Sequence, residues 1–184
     1  MARDEQLAAE VRRDQGPPTL RIYGWDRPAV SLGRRQDPDD LPAGLLSRDL
    51  PLVRRPTGGG AVVHRPDELT YAVAIPATLV PEGIRRSDLP GLFHRAFRDL
   101  LVAREFFPAA DLTVAESDSG GPVTLCFNAP VRGDLLLEGR KVAGSALRAW
   151  RDGLLVQGSL QGFPLGYNQL IEALVLLVEK EFMA

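Results

Sequence analysis

Apolar positions along this chain repeat at two periods, and the switches between them mark out its elements. Residues 2–13 read as an amphipathic helix that stops at Gly16-Pro17-Pro18. Leu20 to Trp25 and Ala29 to Gly33 alternate as strands, with Asp26-Arg27-Pro28 as the turn between them. Asp37 to Asp40 reads as a loop and Leu41 to Ser47 as a short helix. A strand, PLVRR, then runs into Gly58-Gly59-Gly60. GAVVH and Leu69 to Pro76 are apolar β-type runs joined by the polar turn Arg65 to Glu68. The clearest helical spacing spans Ser87 to Arg104, where Leu92, Phe93, Ala96, Phe97, Leu100 and Leu101 recur on one face. Ser87 is placed to cap that helix and Pro90 falls in its first turn.

Beyond Pro108 the pattern turns to strands again. Leu112 to Val114 is a short one, followed by the polar loop Glu116 to Pro122. DLLLEGRKVAGSAL predicts a hairpin turning at Glu138-Gly139-Arg140, and a second turn at Arg151-Asp152-Gly153 joins Leu147 to Trp150 with LLVQGSLQ. Leu165 to Phe182 predicts a closing helix. Strands dominate and the helices are separated rather than alternating with them. The expectation is an α+β fold, a mixed or antiparallel sheet with flanking helices. No repeat, low-complexity segment or boundary interrupts the pattern, so residues 1–184 are expected to form one domain with a substantial core.

Composition narrows the function classes. The formal net charge is −2, so no global basic field points to nucleic acid. No stretch approaches the roughly 18 apolar residues of a membrane span; the best, Leu170 to Val178, is interrupted by Glu172. The charged start MARDEQLAAEVRRDQ lacks the apolar core of a signal peptide. A single cysteine excludes an internal disulfide and suits a reducing compartment, which makes cytoplasm the expected location. One cysteine and two widely separated histidines make no metal-ligand set.

The most informative stretch is RRPTGGGAVVH, Arg54 to His64. Three consecutive glycines are costly in backbone entropy, and besides punctuating a turn their common use is close approach of bare backbone to a ligand, often an anion. Arg54 and Arg55 add fixed charge and forked donors. Two further islands are CFNAP, Cys126 to Pro130, and EGRKVAGSALR, Glu138 to Arg148. With these islands in this order, the chain resembles the lipoyl/octanoyl transferase and lipoate-protein ligase family, a biotin/lipoate-type catalytic domain, from its start to about Leu160. The family normally has a strand before the helix that MARDEQL resembles, and from the short length after the last family-like strand no C-terminal accessory domain is expected.

CFNAP followed by GRKVAGSA is similar to the cysteine-dependent octanoyltransferases, whose version carries Asp where Asn128 stands. The resemblance implies that Cys126 is the acyl-accepting nucleophile and that Lys141 lies at the acyl carbonyl. There it would stabilise an oxyanion and lower the pKa of the thiol or the incoming amine. It implies that His64 lines the acyl site, positioning the acyl group and offering proton transfer, and that Arg54, Arg55, Gly58, Gly59 and Gly60 wall it. Gly144, Ser145 and Ala146 are small enough to let a ligand lie close to their strand. His94, within the long helix, reads as structural, and Tyr23, Trp25 and Leu32 as ordinary core.

GGGAVVH matches the ligase form of the family, whereas CFNAP matches the transferases, and His64-Arg65 departs from the ligases' usual His-Asp. The cysteine weighs more, because ligase chemistry needs no thiol at that place. The expected activity is therefore octanoyl transfer from acyl carrier protein, through a Cys126 thioester, to a lysine of a lipoyl domain or the glycine-cleavage H protein. No cofactor is required for it. The alternatives are an ATP-dependent lipoate-protein ligase, using ATP and Mg, and a non-catalytic acyl-binding relative. Neither nucleic acid nor membrane is an expected partner.

Overall fold

The computed structural model describes residues 1–46, 49–80, 82–120 and 124–182. In chain order the elements are α1 (Ala2–Asp14), β1 (Thr19–Tyr23), β2 (Ala29–Leu32), α2 (Ala43–Leu46), β3 (Leu52–Arg54), β4 (Val62–His64), β5 (Leu69–Pro76), α3 (Leu89–Ala103), β6 (Leu112–Val114), β7 (Leu135–Leu137), β8 (Arg140–Ala149), β9 (Gly153–Leu160) and α4 (Tyr167–Phe182). Ser47 of the expected short helix and Gly121 and Pro122 of the polar loop lie outside the described residues.

Six strands pair antiparallel in the order β1-β5-β9-β8-β7-β6. A smaller sheet has β2 at its centre, parallel to β3 and antiparallel to β4. The α+β expectation holds, with one difference of connectivity. Neighbouring strands in sequence, β1 with β2 and β4 with β5, fall in different sheets, so the turns at 24–28 and 65–68 carry the chain from one sheet to the other. Period-2 alternation reports which face a residue occupies, not which strand it pairs with.

Helices cover both faces of the large sheet. Tyr71, Val73 and Ile75 of β5 pack with Leu154, Val156 and Leu160 of β9 against Phe93, Phe97 and Leu101 of α3 and Leu170, Leu174 and Leu177 of α4. The intervening residues Ala72, Ala74 and Leu155 face Ala8 and Val11 of α1. All eight residues of β5 and of β9 are therefore buried, as a strand covered on both sides requires. The β7–β8 hairpin turns on Glu138 (φ 50°) and Gly139 (φ 76°), both left-handed as a two-residue hairpin loop demands. At α3 the Ser87 hydroxyl is turned to Asp88 Oδ1 at 3.4 Å, and the helix has no side-chain N-cap bond. A 3₁₀ turn over Arg86–Asp88 leads straight into it.

One row across the large sheet prepares the site. Tyr71, Gly158 and Ser145 are direct partners on β5, β9 and β8. A Cβ on Gly158 would lie 2.2 Å from Tyr71 Cζ, so only glycine lets the phenol cross β9 and donate to Ser145 Oγ at 3.1 Å. Gly158→Ala is expected to destabilise the protein by about 1–3 kcal/mol through overpacking. Gly16→Ala, where a Cβ meets nothing within 4 Å, should change stability by less than about 0.5 kcal/mol. Denaturant midpoints compare the two, and equal midpoints would remove this account of Gly158.

Candidate active site

The seam between the two sheets holds a cavity of about 180 Å³. Arg55, Gly59, Gly60 and His64 line it from the small-sheet side, Lys141, Gly144, Ser145 and Ala146 from β8, with Cys126 and Phe127 between them. Nine of the eleven expected site residues thus meet on one cavity; Arg54 and Gly58 lie outside it.

Cys126 reaches the cavity because residues 124–126 run alongside the glycine segment. Ala61 N–H donates to the Thr124 carbonyl at 2.9 Å, and Cys126 N–H donates to the Ala61 carbonyl at 2.8 Å. The half-buried thiol donates to the Gly60 carbonyl at 3.1 Å. Gly59, at φ 86°, sits where a Cβ would come within 3.6 Å of the sulfur. The thiol is thus faced by bare backbone.

The two arginines are held by protein oxygens, and of the two only Arg55 lines the cavity. Arg54 Nη1 donates to the carbonyls of Gly33 at 3.0 Å and Gln36 at 2.7 Å. Arg55 is buried: its Nη1 donates to the Ser31 carbonyl and hydroxyl, both at 2.8 Å, and its Nη2 to the carbonyls of Gly58 at 3.0 Å and Gly60 at 2.8 Å. Both guanidiniums therefore fasten the loop; Arg55 still walls the cavity as expected, whereas Arg54 lies outside it. Burial holds the Arg55 pKa below its ordinary value, while the neighbouring Cys126 acts to raise it. Arg55 is a fixed cation close to the thiol, since Gly60's carbonyl accepts from both residues.

Lys141, at 8% exposure, is no solvated turn residue. Its ammonium donates to the Cys126 carbonyl at 2.6 Å, pairs with Asp134 Oδ2 at 2.6 Å and lies 5.0 Å from the centre of the Phe127 ring. A Cβ on Gly144 would approach Lys141 Cε to 2.7 Å. Gly144, itself on the cavity wall, consequently makes room for the lysine side chain. Burial raises the Asp134 pKa above the usual carboxylate range, against the opposing pull of Lys141.

Both ring nitrogens of His64 are engaged. Nδ1–H donates to Glu68 Oε1 at 2.5 Å, and Nε2 accepts from the Ser31 hydroxyl at 2.6 Å. The ring stacks on Trp25 with centroids 4.0 Å apart. Ser31-His64-Glu68 has the connectivity of a nucleophile triad, but Ser31 is fully buried and its oxygen also accepts from Arg55. The histidine therefore positions the wall and has no free nitrogen for the proton transfer expected of it.

His94, read as merely structural, backs the cavity. Nδ1–H donates to the Gly133 carbonyl at 2.6 Å, which leaves Nε2 to accept from the cavity-lining Ser145 hydroxyl at 2.7 Å. The buried Tyr71 phenol, its pKa raised by desolvation, completes the cluster. Asp134, Glu68, Ser31 and His94 are thus site-supporting residues that the sequence pattern did not reveal. His94 carried one usable signal, its spacing with Phe97 and Leu101 on the apolar face of α3.

A model of the lipoyl protein ligase A/B catalytic domain matches residues 1–162. The chain belongs to this family. Relatives of this lipoyl protein ligase A/B domain include the octanoyltransferase LipM of Symbiobacterium thermophilum, 40% identical over 85% of this chain and 58% of that protein. The octanoyltransferase LipM of an Exiguobacterium species is 35% identical over 87% of this chain and 60% of that protein. The chain therefore spans somewhat under two thirds of the length of these relatives. Among solved structures, lipoate-protein ligase A bound with ATP superposes with a TM-score of 0.70 at 16% identity, over 98% of this chain and 81% of that one. A bipartite lipoate protein ligase from Thermoplasma acidophilum gives 0.62 at 15% identity, over 97% and 78%. At such identities the likeness is one of fold, and it is the same catalytic-domain fold. Among the described residues no helix is long and apolar enough to cross a membrane.

Burial depresses the His94 pKa to about 4, with Lys141 adding to the shift and the Gly133 bond opposing it. An imidazole in the unfolded chain protonates near 6.5. Between these values the unfolded state binds the extra proton, so stability falls as pH drops from about 6.5 towards 4 and the loss approaches about 3 kcal/mol. His94→Gln should flatten this part of the stability–pH curve relative to wild type, as read from denaturation midpoints at each pH. Parallel curves would contradict the buried neutral imidazole.

Proposed function

We propose that this domain is an octanoyltransferase of protein lipoylation, with Cys126 as nucleophile and Lys141 as the electrostatic catalyst. The observation that carries it is the placement of one thiol and one buried ammonium on the same cavity, against a glycine wall. The LipM names of the relatives support the same activity. The donor would be an octanoyl thioester of acyl carrier protein, and the acceptor a lysine of a lipoyl domain or of the glycine-cleavage H protein.

Cys126 Sγ, as thiolate, attacks the thioester carbonyl carbon. The new C–S bond forms, negative charge gathers on the carbonyl oxygen near Lys141, and the donor's C–S bond breaks. The carrier thiol leaves with the proton that Cys126 gave up. In the second half the acceptor amine attacks the Cys126 thioester, the C–N bond forms and the Sγ–C bond breaks. The amine's surplus proton restores the thiol. Thioester to thioester is nearly neutral and thioester to amide is downhill, so the sequence needs neither ATP nor a metal.

The hydrogen bonds of Lys141 to Asp134 and to the Cys126 carbonyl fix the ammonium before substrate arrives, which is how a preorganised charge stabilises an oxyanion. Arg55 stands behind the sulfur through the Gly60 carbonyl, which leaves a fixed positive charge on that side of the site.

Incubation with octanoyl carrier protein should add one octanoyl group to the intact mass, and Cys126→Ala should abolish both the adduct and transfer. Lys141→Met, with folding checked by circular dichroism because the buried Asp134 loses its partner, should lower the rate by about 10²-fold or more. Transfer by an enzyme that never becomes acylated would refute the covalent step. ATP-dependent modification of a lipoyl domain that survives Cys126→Ala would replace this reading with the ligase reaction.

A further inference from the structure

A second, larger hollow of about 920 Å³ adjoins the cysteine cavity. The two share Gly59 and Gly60 as walls, and β8 runs from one into the other: Gly144, Ser145 and Ala146 face the inner cavity, Leu147, Arg148 and Ala149 the outer groove. A linear thioester with its acyl chain inside would leave along this strand.

The groove's charge is one-sided. Arg34, Arg35 and Arg148 line it, against a single carboxylate, Asp40. Arg148 is a fixed cation, 4.5 Å from the centre of the Trp150 ring and 3.3 Å from Glu5. Arg34 and Arg35 are exposed, and neither guanidinium has a hydrogen-bond or ion-pair partner among the described residues. The inner cations, Arg55 and Lys141, are by contrast bonded to protein atoms. Two forked cations are thus left open on the exit path of the acyl cavity.

We propose that this groove receives the phosphorylated arm of the thioester donor, a pantetheine chain ending in a phosphodiester, with Arg34 and Arg35 on the phosphate and Arg148 beside it. The proposal rests on the acyl-transfer reading and adds the donor's recognition site to it. Guanidinium forks match phosphate oxygens in geometry as well as charge. The acceptor brings an ammonium of the same sign as the groove, which favours the donor as its occupant. Donor discrimination then comes from the arm, several residues of β8 away from the sulfur.

The test compares three octanoyl donors by the rate of Cys126 acylation, followed as intact mass: octanoyl carrier protein, free octanoyl-4′-phosphopantetheine, and octanoyl-N-acetylcysteamine, which lacks the phosphate. In the variant Arg34→Gln/Arg35→Gln the ratio of kcat/KM for either phosphorylated donor to that for the phosphate-free one should fall about tenfold or more, mainly through KM. Arg34→Lys/Arg35→Lys, which keeps charge but loses the fork, should fall between. Both side chains are exposed, so circular dichroism is expected to match wild type. An unchanged ratio, or a rise in KM for the acceptor protein alone, would overturn the groove assignment and leave transfer through Cys126 standing. A wild-type enzyme acylated by none of the three donors would instead overturn the acyl-transfer reading, and this proposal with it.

Discussion

The buried guanidinium of Arg55 is the interaction on which the rest of the site depends. It ties the Ser31 carbonyl and hydroxyl on β2 to the carbonyls of Gly58 and Gly60, so one side chain folds the glycine segment back onto the small sheet. The fit is close: a Cβ on Gly33, at the end of β2, would fall 1.9 Å from the Gly59 carbonyl oxygen. With the loop fixed, Gly60 offers its carbonyl to the Cys126 thiol and Gly59 presents bare backbone to the sulfur. A guanidinium stays charged despite desolvation, where an ammonium or imidazolium would readily give up its proton. The same fork thus closes the loop and leaves a permanent positive charge near the Cys126 thiol.

Polar networks approach the cavity from both sheets. From the small sheet, Glu68, His64, Ser31 and Arg55 form a continuous hydrogen-bonded chain to the thiol's acceptor carbonyl. Glu68 is itself anchored to β9 and beyond, accepting from Ser159 Oγ at 2.8 Å and Gln161 Nε2 at 2.6 Å. From the large sheet, Asp134 fixes Lys141, while Tyr71 and His94 hold Ser145. A third link runs through the N-terminal helix: buried Asp4 accepts from Gln157 Nε2 at 2.6 Å, and Gln157 Oε1 accepts from Thr57 in the glycine segment at 2.8 Å. Buried polar groups are stable only when satisfied, and no buried side-chain polar atom among the described residues lacks a partner. The seam between the sheets is therefore held firmly where Cys126 and Lys141 sit.

What the sequence revealed of this arrangement follows from what periodicity encodes. The helix of 89–103 and the run 69–76 were legible because many apolar side chains share one period, and the hairpin at 138–139 because Glu-Gly turn chemistry is local. The allocation of strands to two sheets was not, since β1 and β2 carry the same alternation whichever neighbour they pair with. The chemistry-bearing positions divide the same way. Cys126, Lys141 and Gly58 to Gly60 stand in distinctive local strings, so their meeting on one cavity, with Gly58 just outside, was foreseeable. Asp134 and Glu68 look like ordinary polar residues at strand starts, and only tertiary contacts over 7 residues for Asp134–Lys141 and over 91 for Glu68–Ser159 reveal their work. The tethering of the arginines was hidden for a related reason: sequence shows that a fork is present, not whether its donors already have carbonyls to bind.

The distribution of positive charge connects these observations to the reaction. Arg55 and Lys141 are buried and bonded in place on the inner cavity, whereas Arg34 and Arg35 are exposed on the outer groove. A desolvated, preorganised charge has its greatest effect on charge that develops during reaction, because no reorganisation is needed when it appears. A hydrated surface charge acts instead on charge that is already present, and it does so before the chemical step, through capture and orientation. For acyl transfer between thioesters and an amine, the overall reaction is already downhill. Under the proposed acyl transfer, the protein's task would be to admit the right thioester and to hold its carbonyl between a thiol and an ammonium, a task the inner and outer cations would divide between them.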